Sequence, residues 1–212
     1  MKFKVGLSDL SGTLIDDIEK IYRVVSNVVY DLSGQNLLRE EFKETYTLNF
    51  PKFYERYGIN FEDALKKYFP LYDMCPIDSR IIPGANEFLT ELKKDYRLGL
   101  VTGARKVHLE QELEFVGLNK EPFEILICGV LKDAENTIGI ETALKEIGTK
   151  PENVFYLCDH PDDVLMAHEV GVFPIVFSWQ YSYSTRENIE NVLDGNGKIV
   201  SSYKEALNFL LA

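Results

Sequence analysis

The sequence predicts an α/β fold in which a parallel sheet carries helices on both faces and a helical domain is inserted near the start of the chain. From about residue 81 onward, short apolar stretches of strand length alternate with amphipathic stretches of helix length. This alternation is typical of buried parallel strands joined by helices. Residues 16–80 show helical periodicity alone. We therefore expect residues 1–15 and 81–212 to form the α/β core domain and residues 16–80 to form the inserted helical domain.

The first predicted elements are a strand over residues 3–8 and a long amphipathic helix. From Asp17 onward apolar residues recur every three or four positions, and Gly34 suits the end of this helix because glycine readily adopts a left-handed backbone. Three more helices are predicted over residues 37–47, 51–57 and 61–72. The later strands are predicted over residues 97–102, 124–128, 153–158 and 173–177, and the later helices over residues 83–94, 106–116, 138–147, 163–170 and 203–211.

The composition indicates a cytoplasmic protein. The formal net charge of the 212 residues is -11 and the pI is about 4.8, so the surface repels nucleic-acid backbones and anionic lipid. We expect neither nucleic acid nor a membrane as a partner, and no apolar run reaches the length of a membrane span. Cys75, Cys128 and Cys158 are scattered without disulfide or zinc-site spacing, which indicates reduced, buried thiols.

Three predicted strands end in residues suited to chemistry. Asp9 follows the first strand, Thr102 ends the second, and Asp159 and Asp163 follow the strand over residues 153–158. The carboxyl ends of parallel strands share one edge of a sheet, where open α/β proteins bind their ligands. A lone Asp at a strand end more often caps a turn, but three such positions in order favour a site. Asp9 is therefore a candidate nucleophile or metal ligand.

These segments resemble the motifs of the haloacid-dehalogenase-like (HAD) hydrolases. The run Asp-Leu-Ser-Gly-Thr-Leu at residues 9–14 is similar to the first motif, Asp-x-Asp-Gly-Thr-Leu, with Ser11 in place of the second Asp. Thr102 matches the second motif, and residues 157–171 resemble the fourth. Residues 175–181 resemble the segment that follows the fourth motif in phosphoglycolate-phosphatase-like members.

The resemblance implies an HAD-like Rossmannoid fold, a small helical cap of type C1 over residues 16–80, and a magnesium-dependent phosphatase acting on a small phosphorylated molecule. It implies that Asp9 attacks phosphorus and becomes an aspartyl-phosphate, while Thr102 and a third-motif lysine hold the phosphoryl group. Lys132 is assigned that third role because it is the only Lys or Arg between Lys120 and Lys145. Arg105 is the alternative.

The resemblance also implies a ligand set for Mg²⁺. Asp9 and Asp159 would supply carboxylates, Ser11 its main-chain carbonyl, and Asp163 would assist. Such a set of oxygen donors suits a hard cation. Gly103, Arg105 and Ser11 are the remaining candidates for substrate binding.

Ser11 leaves the activity open, because phosphatases of the family use an Asp at this position as general acid and base. A hydroxyl has no useful pKa near neutrality, and loss of a positioned acid or base costs roughly 10²–10⁴-fold in rate. The chain is then a slow phosphatase, a phosphatase for substrates whose leaving group needs little protonation, or a catalytically weak protein that binds a phosphorylated ligand.

The inserted segment is rich in aromatic residues between Tyr46 and Tyr72, and we expect them to form the core of that domain. In the HAD family such a cap closes over the site and selects the substrate. Three cations of this segment, Arg23, Lys52 and Arg56, are candidates to hold a carboxylate or a second phosphate of the substrate.

Overall fold

The computed structural model describes residues 3–74, 78–129 and 137–212 and confirms the α/β fold. The strands in these residues are β1 (Val5–Ser8), β2 (Ile15–Asp16), β3 (Arg80–Ile81), β4 (Arg97–Val101), β5 (Phe123–Ile127), β6 (Val154–Cys158), β7 (Phe173–Phe177) and β8 (Lys198–Val200). The α-helices are α1 (Ile18–Ser33), α2 (Arg39–Thr45), α3 (Phe50–Glu55), α4 (Phe61–Met74), α5 (Ala85–Leu92), α6 (Lys106–Val116), α7 (Ile138–Ile147), α8 (Pro161–Val170), α9 (Arg186–Leu193) and α10 (Tyr203–Leu210).

Six of these strands form one parallel sheet. Their order is β5-β4-β1-β6-β7-β8, so β1 lies between β4 and β6. Leu7 of β1 pairs with Gly99 of β4 on one side and with Tyr156 of β6 on the other. Because the three central strands run in the same direction, the residues that follow them emerge at one edge of the sheet.

Alternate residues along the strands face two separate apolar cores. Phe155 and Leu157 of β6 belong to the core that includes residues of α5, α6 and α10. Tyr156 and Cys158 belong to the core that includes residues of α7, α8 and α9. This division follows the two-residue period of a strand. The sheet therefore carries helices on both faces, as the sequence predicts.

Helices α1 to α4, with their connections, form a helical segment over residues 18–74, and its apolar core also contains Tyr183 from the later part of the chain. Val25 and Val28 of α1 are buried there, and Phe42 and Phe53 fill the space opposite with fully buried rings. Helix α1 ends at Gly34, whose φ of 73° closes it in the left-handed conformation, as predicted.

Some short or polar elements depart from the predictions. The expectation that residues 16–80 contain no strand is wrong at both margins, because Ile15–Asp16 pairs antiparallel with Arg80–Ile81. Two residues are too few to show a periodicity. Helix α9 and strand β8 were also missed. Ile189 is the buried residue of the polar helix α9, and β8 has only 3 residues.

Two of the predictions cannot be compared with this structure, because Cys75 and Lys132 lie outside the described residues. Cys128 and Cys158 are free thiols, as expected, but only Cys158 is buried and Cys128 is half-buried. None of the helices in the described ranges has the length and apolar character needed to cross a bilayer.

Candidate active site

Three aspartates meet at the carboxyl edge of the sheet. Asp9 directly follows β1, Asp159 directly follows β6, and Asp163 lies in the first turn of α8. A carboxylate oxygen from each lies within 4.8 Å of the others. Their exposed fractions are 6%, 2% and 0%. The structure thus brings together the three carboxylates that the sequence singled out.

Backbone and phenol groups hold two of these carboxylates in place. The main-chain N–H of Tyr183 donates to Asp159 Oδ2 at 2.6 Å, and the hydroxyl of Tyr156 donates to Asp163 Oδ1 at 3.0 Å. The N–H of Asp9 donates to the carbonyl of Leu157 at 2.8 Å, which extends the pairing of β1 with β6 up to the site. Asp163 is therefore held by α8 and by Tyr156 of β6, whereas Asp159 is held by the backbone of the connection between β7 and α9.

The site fits a hard divalent cation. Three buried carboxylates this close together repel one another and lose hydration, and a bound cation offsets both costs. Gly12 adds to the fit, because its φ is 70° and a Cβ built there would lie 2.3 Å from Asp159 Oδ2. The turn after Asp9 can press against Asp159 only because residue 12 has no side chain.

Thr102, Gly103 and Arg105 follow β4 on the other side of β1. Thr102 is buried, its N–H donates to the carbonyl of Ile127 at 2.9 Å, and its Oγ1 accepts from the N–H of Ala104 at 3.2 Å. All three residues line the same cavity as Asp9. The predicted partner Lys132 is not among the described residues.

Arg105 is bound within the protein. Its Nη2 donates to Asp73 Oδ1 at 2.6 Å, and its guanidinium carbon lies 4.6 Å from the centre of the Phe69 ring. Asp73 and Phe69 both belong to α4, so Arg105 joins the helical segment to the α/β part. A ligand must compete with Asp73 for this cation.

Ser11 makes its hydrogen bond away from the three aspartates. Its hydroxyl donates to Asp17 Oδ2 at 2.9 Å, and the hydroxyl of Tyr183 donates to Asp17 Oδ1 at 2.7 Å. Asp17 is 2% exposed. Burial and the neighbouring Glu112 raise the pKa of Asp17 to about 7, although both hydrogen bonds favour its charged form.

Sequence reasoning treated Asp17 only as the start of a helix and missed that it lies at the site. The available signal was its position at the exit from the first motif, followed directly by the apolar stripe of α1. A carboxyl at position 17 lies between the site and the first buried turn of α1.

The three aspartates open into a cavity of about 470 Å³. The helical segment supplies most of its apolar wall, and Tyr183 from the α/β part completes it. The segment's apolar lining residues are Ile21, Tyr46, Leu48, Phe50, Tyr54, Leu65, Tyr68, Phe69 and Tyr72.

The expected roles of the helical segment's aromatic residues and cations are only partly met. Tyr46 and Tyr54 are both core residues and part of the wall, whereas Tyr68 and Tyr72 are half-buried and face the cavity from the edge of that core. The cavity is not lined by any of the three candidate cations, Arg23, Lys52 and Arg56. Arg23 pairs instead with Asp78 at the surface.

A family model described as haloacid dehalogenase-like hydrolase matches residues 7–177. The chain belongs to the haloacid dehalogenase-like hydrolase family. Among curated proteins no sequence gives a significant match. Solved structures share the fold over nearly the whole length of this HAD-like hydrolase.

A haloacid dehalogenase-like family protein from Streptococcus pneumoniae is 16% identical, with a TM-score of 0.82 and coverage of 98% of both chains. A protein described as a predicted phosphatase from Clostridium acetobutylicum is 20% identical, with a TM-score of 0.82 and coverage of 100% of this chain and 99% of its own. A protein described as a predicted phosphoglycolate phosphatase from Haemophilus somnus is 17% identical, with a TM-score of 0.75 and coverage of 99% and 98%.

In this HAD-like hydrolase the helical segment is tied to the α/β part beside the three aspartates. Asp162 Oδ2 accepts from the hydroxyl of Thr47 and from the N–H of Leu48, both at 2.6 Å. A ring nitrogen of His160 lies 3.1 Å from the carbonyl of Tyr46. These contacts close one side of the cavity with residues that adjoin Asp159 and Asp163.

Proposed function

We propose that this HAD-like hydrolase is a magnesium-dependent phosphatase that hydrolyses a small phosphorylated metabolite through an aspartyl-phosphate on Asp9. One observation carries the proposal: three buried carboxylates within 4.8 Å of one another line a cavity that Thr102 also lines. The solved neighbours described as phosphatases support it. The acidic charge and dispersed cysteines favour a cytoplasmic location.

In this proposal Asp9, Asp159 and the main-chain carbonyl of Ser11 hold Mg²⁺, and Asp163 assists from the first turn of α8. The ion, when bound, neutralises charge on the phosphoryl group so that an anionic carboxylate can approach it. Tyr156 keeps the Asp163 carboxylate oriented through its hydrogen bond at 3.0 Å, and the N–H of Tyr183 does the same for Asp159 at 2.6 Å.

Asp9 attacks phosphorus with one carboxylate oxygen, and the bond from phosphorus to the leaving oxygen breaks. Thr102 donates its hydroxyl hydrogen to a phosphoryl oxygen, and we propose Lys132 as the cation that pairs with the same group. Water then attacks the phosphorus of the aspartyl-phosphate, which releases inorganic phosphate and restores the Asp9 carboxylate.

The hydroxyl of Ser11 gives its hydrogen to Asp17, so it presents only lone pairs to the cavity. Water rather than Ser11 therefore protonates the leaving oxygen. A consequence is slow turnover of esters with poor leaving groups, unless the substrate supplies the proton itself.

We further propose that residues 16–80 act as a type C1 cap over a core of residues 1–15 and 81–212. The contacts of Arg105 with Asp73, and of Asp162 with Leu48, join the two parts around the cavity. Closure of the cap excludes water and strengthens the electrostatic interactions inside.

Hydrolysis of an activated aryl phosphate, measured with and without Mg²⁺, tests this function. We expect metal-dependent turnover in the wild type and none in Asp9→Asn. Beryllofluoride should form an adduct on Asp9 that Asp9→Asn lacks. Binding of phosphate without turnover in the presence of Mg²⁺ would instead support the alternative, a catalytically weak protein that binds a phosphorylated ligand.

A further inference from the structure

The wall that helices α3 and α4 contribute to the cavity is apolar and aromatic. Phe50, Leu65, Tyr68 and Phe69 of the helical segment line it, and the rings of Tyr68 and Tyr72 lie 5.7 Å apart at an angle of 21°. A cavity of about 470 Å³ is within the range that binds whole small molecules. It leaves space for a leaving group well beyond the phosphoryl position.

Two cations close to this wall, Arg105 and Lys20, are already bound to carboxylates. Arg105 is the one cation among the described lining residues, and it binds Asp73 at 2.6 Å. Lys20 is buried behind the wall, 3.9 Å from the centre of the Tyr72 ring, with Glu112 as its ion-pair partner at 3.4 Å. No described lining residue is therefore a cation available to a second negative charge on a substrate.

Two buried carboxyls make this part of the cavity unfavourable for anions. Asp17 and Glu112 both line it and are 2% and 3% exposed. Burial raises the pKa of Tyr68 and of Tyr72, and the charges of Asp17 and Glu112 raise both further. A carboxylate placed beside these phenols would lose its hydration without gaining an available cation among the described lining residues.

We propose that the leaving group is an aromatic or comparably flat apolar alcohol without a second negative charge. The proposal rests on the phosphatase function above and names its substrate class: phosphomonoesters of aromatic alcohols. Burial of the apolar group against Tyr68, Phe69 and Phe50 provides the selectivity, because aromatic faces bind aromatic groups edge-on or offset. Small anionic esters such as phosphoglycolate, named for several solved neighbours, are poor substrates in this proposal.

Three esters of primary alcohols test the substrate class, because they present the same kind of bond at phosphorus. They are 2-phenylethyl phosphate, ethyl phosphate and 2-phosphoglycolate, each assayed for phosphate release with Mg²⁺. We expect kcat/KM for 2-phenylethyl phosphate to exceed that for ethyl phosphate about 10- to 100-fold, from burial of one phenyl ring. We expect 2-phosphoglycolate to be poorer than ethyl phosphate.

A matched pair of variants at Leu65 tests the charge argument. Leu65→Lys places a cation in the wall, and Leu65→Met keeps it apolar at similar volume. The ratio of kcat/KM for 2-phosphoglycolate to that for 2-phenylethyl phosphate should rise at least about 10-fold in Leu65→Lys and stay near the wild-type ratio in Leu65→Met. This ratio is internal to each preparation, so a partly unfolded variant does not change it.

Binding of phosphonate analogues separates the substrate class from the phosphatase function. Calorimetry of wild-type protein with Mg²⁺ compares 3-phenylpropylphosphonate with 3-phosphonopropionate, and we expect the phenyl compound to bind more tightly by a similar factor. If that preference holds while no ester is turned over, the cavity assignment stands and the phosphatase proposal fails. If esters are turned over with 2-phosphoglycolate preferred, or if neither analogue is preferred, the substrate class is overturned.

Discussion

Substitution of Gly12 by Ala tests whether the turn after Asp9 sets the position of Asp159. The new Cβ would lie 2.3 Å from Asp159 Oδ2 and 2.5 Å from its Cγ. Real Cβ atoms essentially never come closer than 3.0 Å to such atoms, so the carboxylate or the turn has to move by roughly 0.7 Å. A displacement near 1 Å at reacting groups costs on the order of 10²-fold in rate.

Gly34→Ala is the matched control. Gly34 has nearly the same backbone conformation, with a φ of 73° against 70° for Gly12, but a Cβ built there meets nothing within 4 Å. Both substitutions carry the strain of a left-handed alanine, roughly 1–2 kcal/mol. Only Gly12→Ala adds the collision with Asp159.

Urea unfolding and a Mg²⁺ titration of activity make the comparison. We expect backbone strain to lower the free energy of unfolding of both variants by a similar amount. Only Gly12→Ala should lose about 10²-fold in kcat/KM and require more Mg²⁺ for half-maximal rate. Wild-type Mg²⁺ dependence in Gly12→Ala would refute the placement of Asp159 in the metal site. An equal loss of activity in Gly34→Ala would refute the steric explanation.

Three further outcomes are expected. Ser11→Asp should speed hydrolysis of alkyl phosphates by 10-fold or more and leave hydrolysis of activated aryl phosphates nearly unchanged. Steady-state rates on both kinds of ester make the comparison. An equal effect on both would mean that the missing acid does not limit the rate. Because the pKa of Asp17 is raised to about 7 in the fold, the folded protein binds the extra proton between about pH 4 and 7, so the metal-free protein should lose stability as pH rises through that window. Asp17→Asn should flatten this slope in urea unfolding at several pH values, and an unchanged slope would contradict the assignment. Tyr156→Phe removes the hydrogen bond to Asp163 Oδ1. Calorimetry should show Mg²⁺ binding weakened about 10-fold, and the fold should lose about 1 kcal/mol of stability. Unchanged affinity would show that Asp163 needs no such partner.

The sheet and the main carboxylates were predictable because strong local patterns mark them. Each of the strands before Asp9, Thr102 and Asp159 is an apolar run, and topology then brings their ends to one edge. Asp163 follows from its spacing on the next helix. These positions depend only on period and strand direction, which the sequence displays.

The remaining features depend on contacts between distant parts of the chain. That Asp17 accepts from both Ser11 and Tyr183 depends on how α1 leaves the site, and no local pattern reports the distance to residue 183. The sequence shows that Arg23 is a cation, but it does not show whether its side chain faces the cavity or the surface. Strands as short as β2 and β3 carry no period, so their pairing appears only in three dimensions.

The position of β1 between β4 and β6 has a consequence for the emerging polypeptide. Asp9 leaves the ribosome about 150 residues before Asp159, which follows the strand β6. Until β6 inserts beside β1, Asp9 lacks the carboxylates of Asp159 and Asp163 with which it could share an ion. An ion held by all three carboxylates therefore could not template the first stages of assembly, and its uptake would mark a chain whose central strands have already docked.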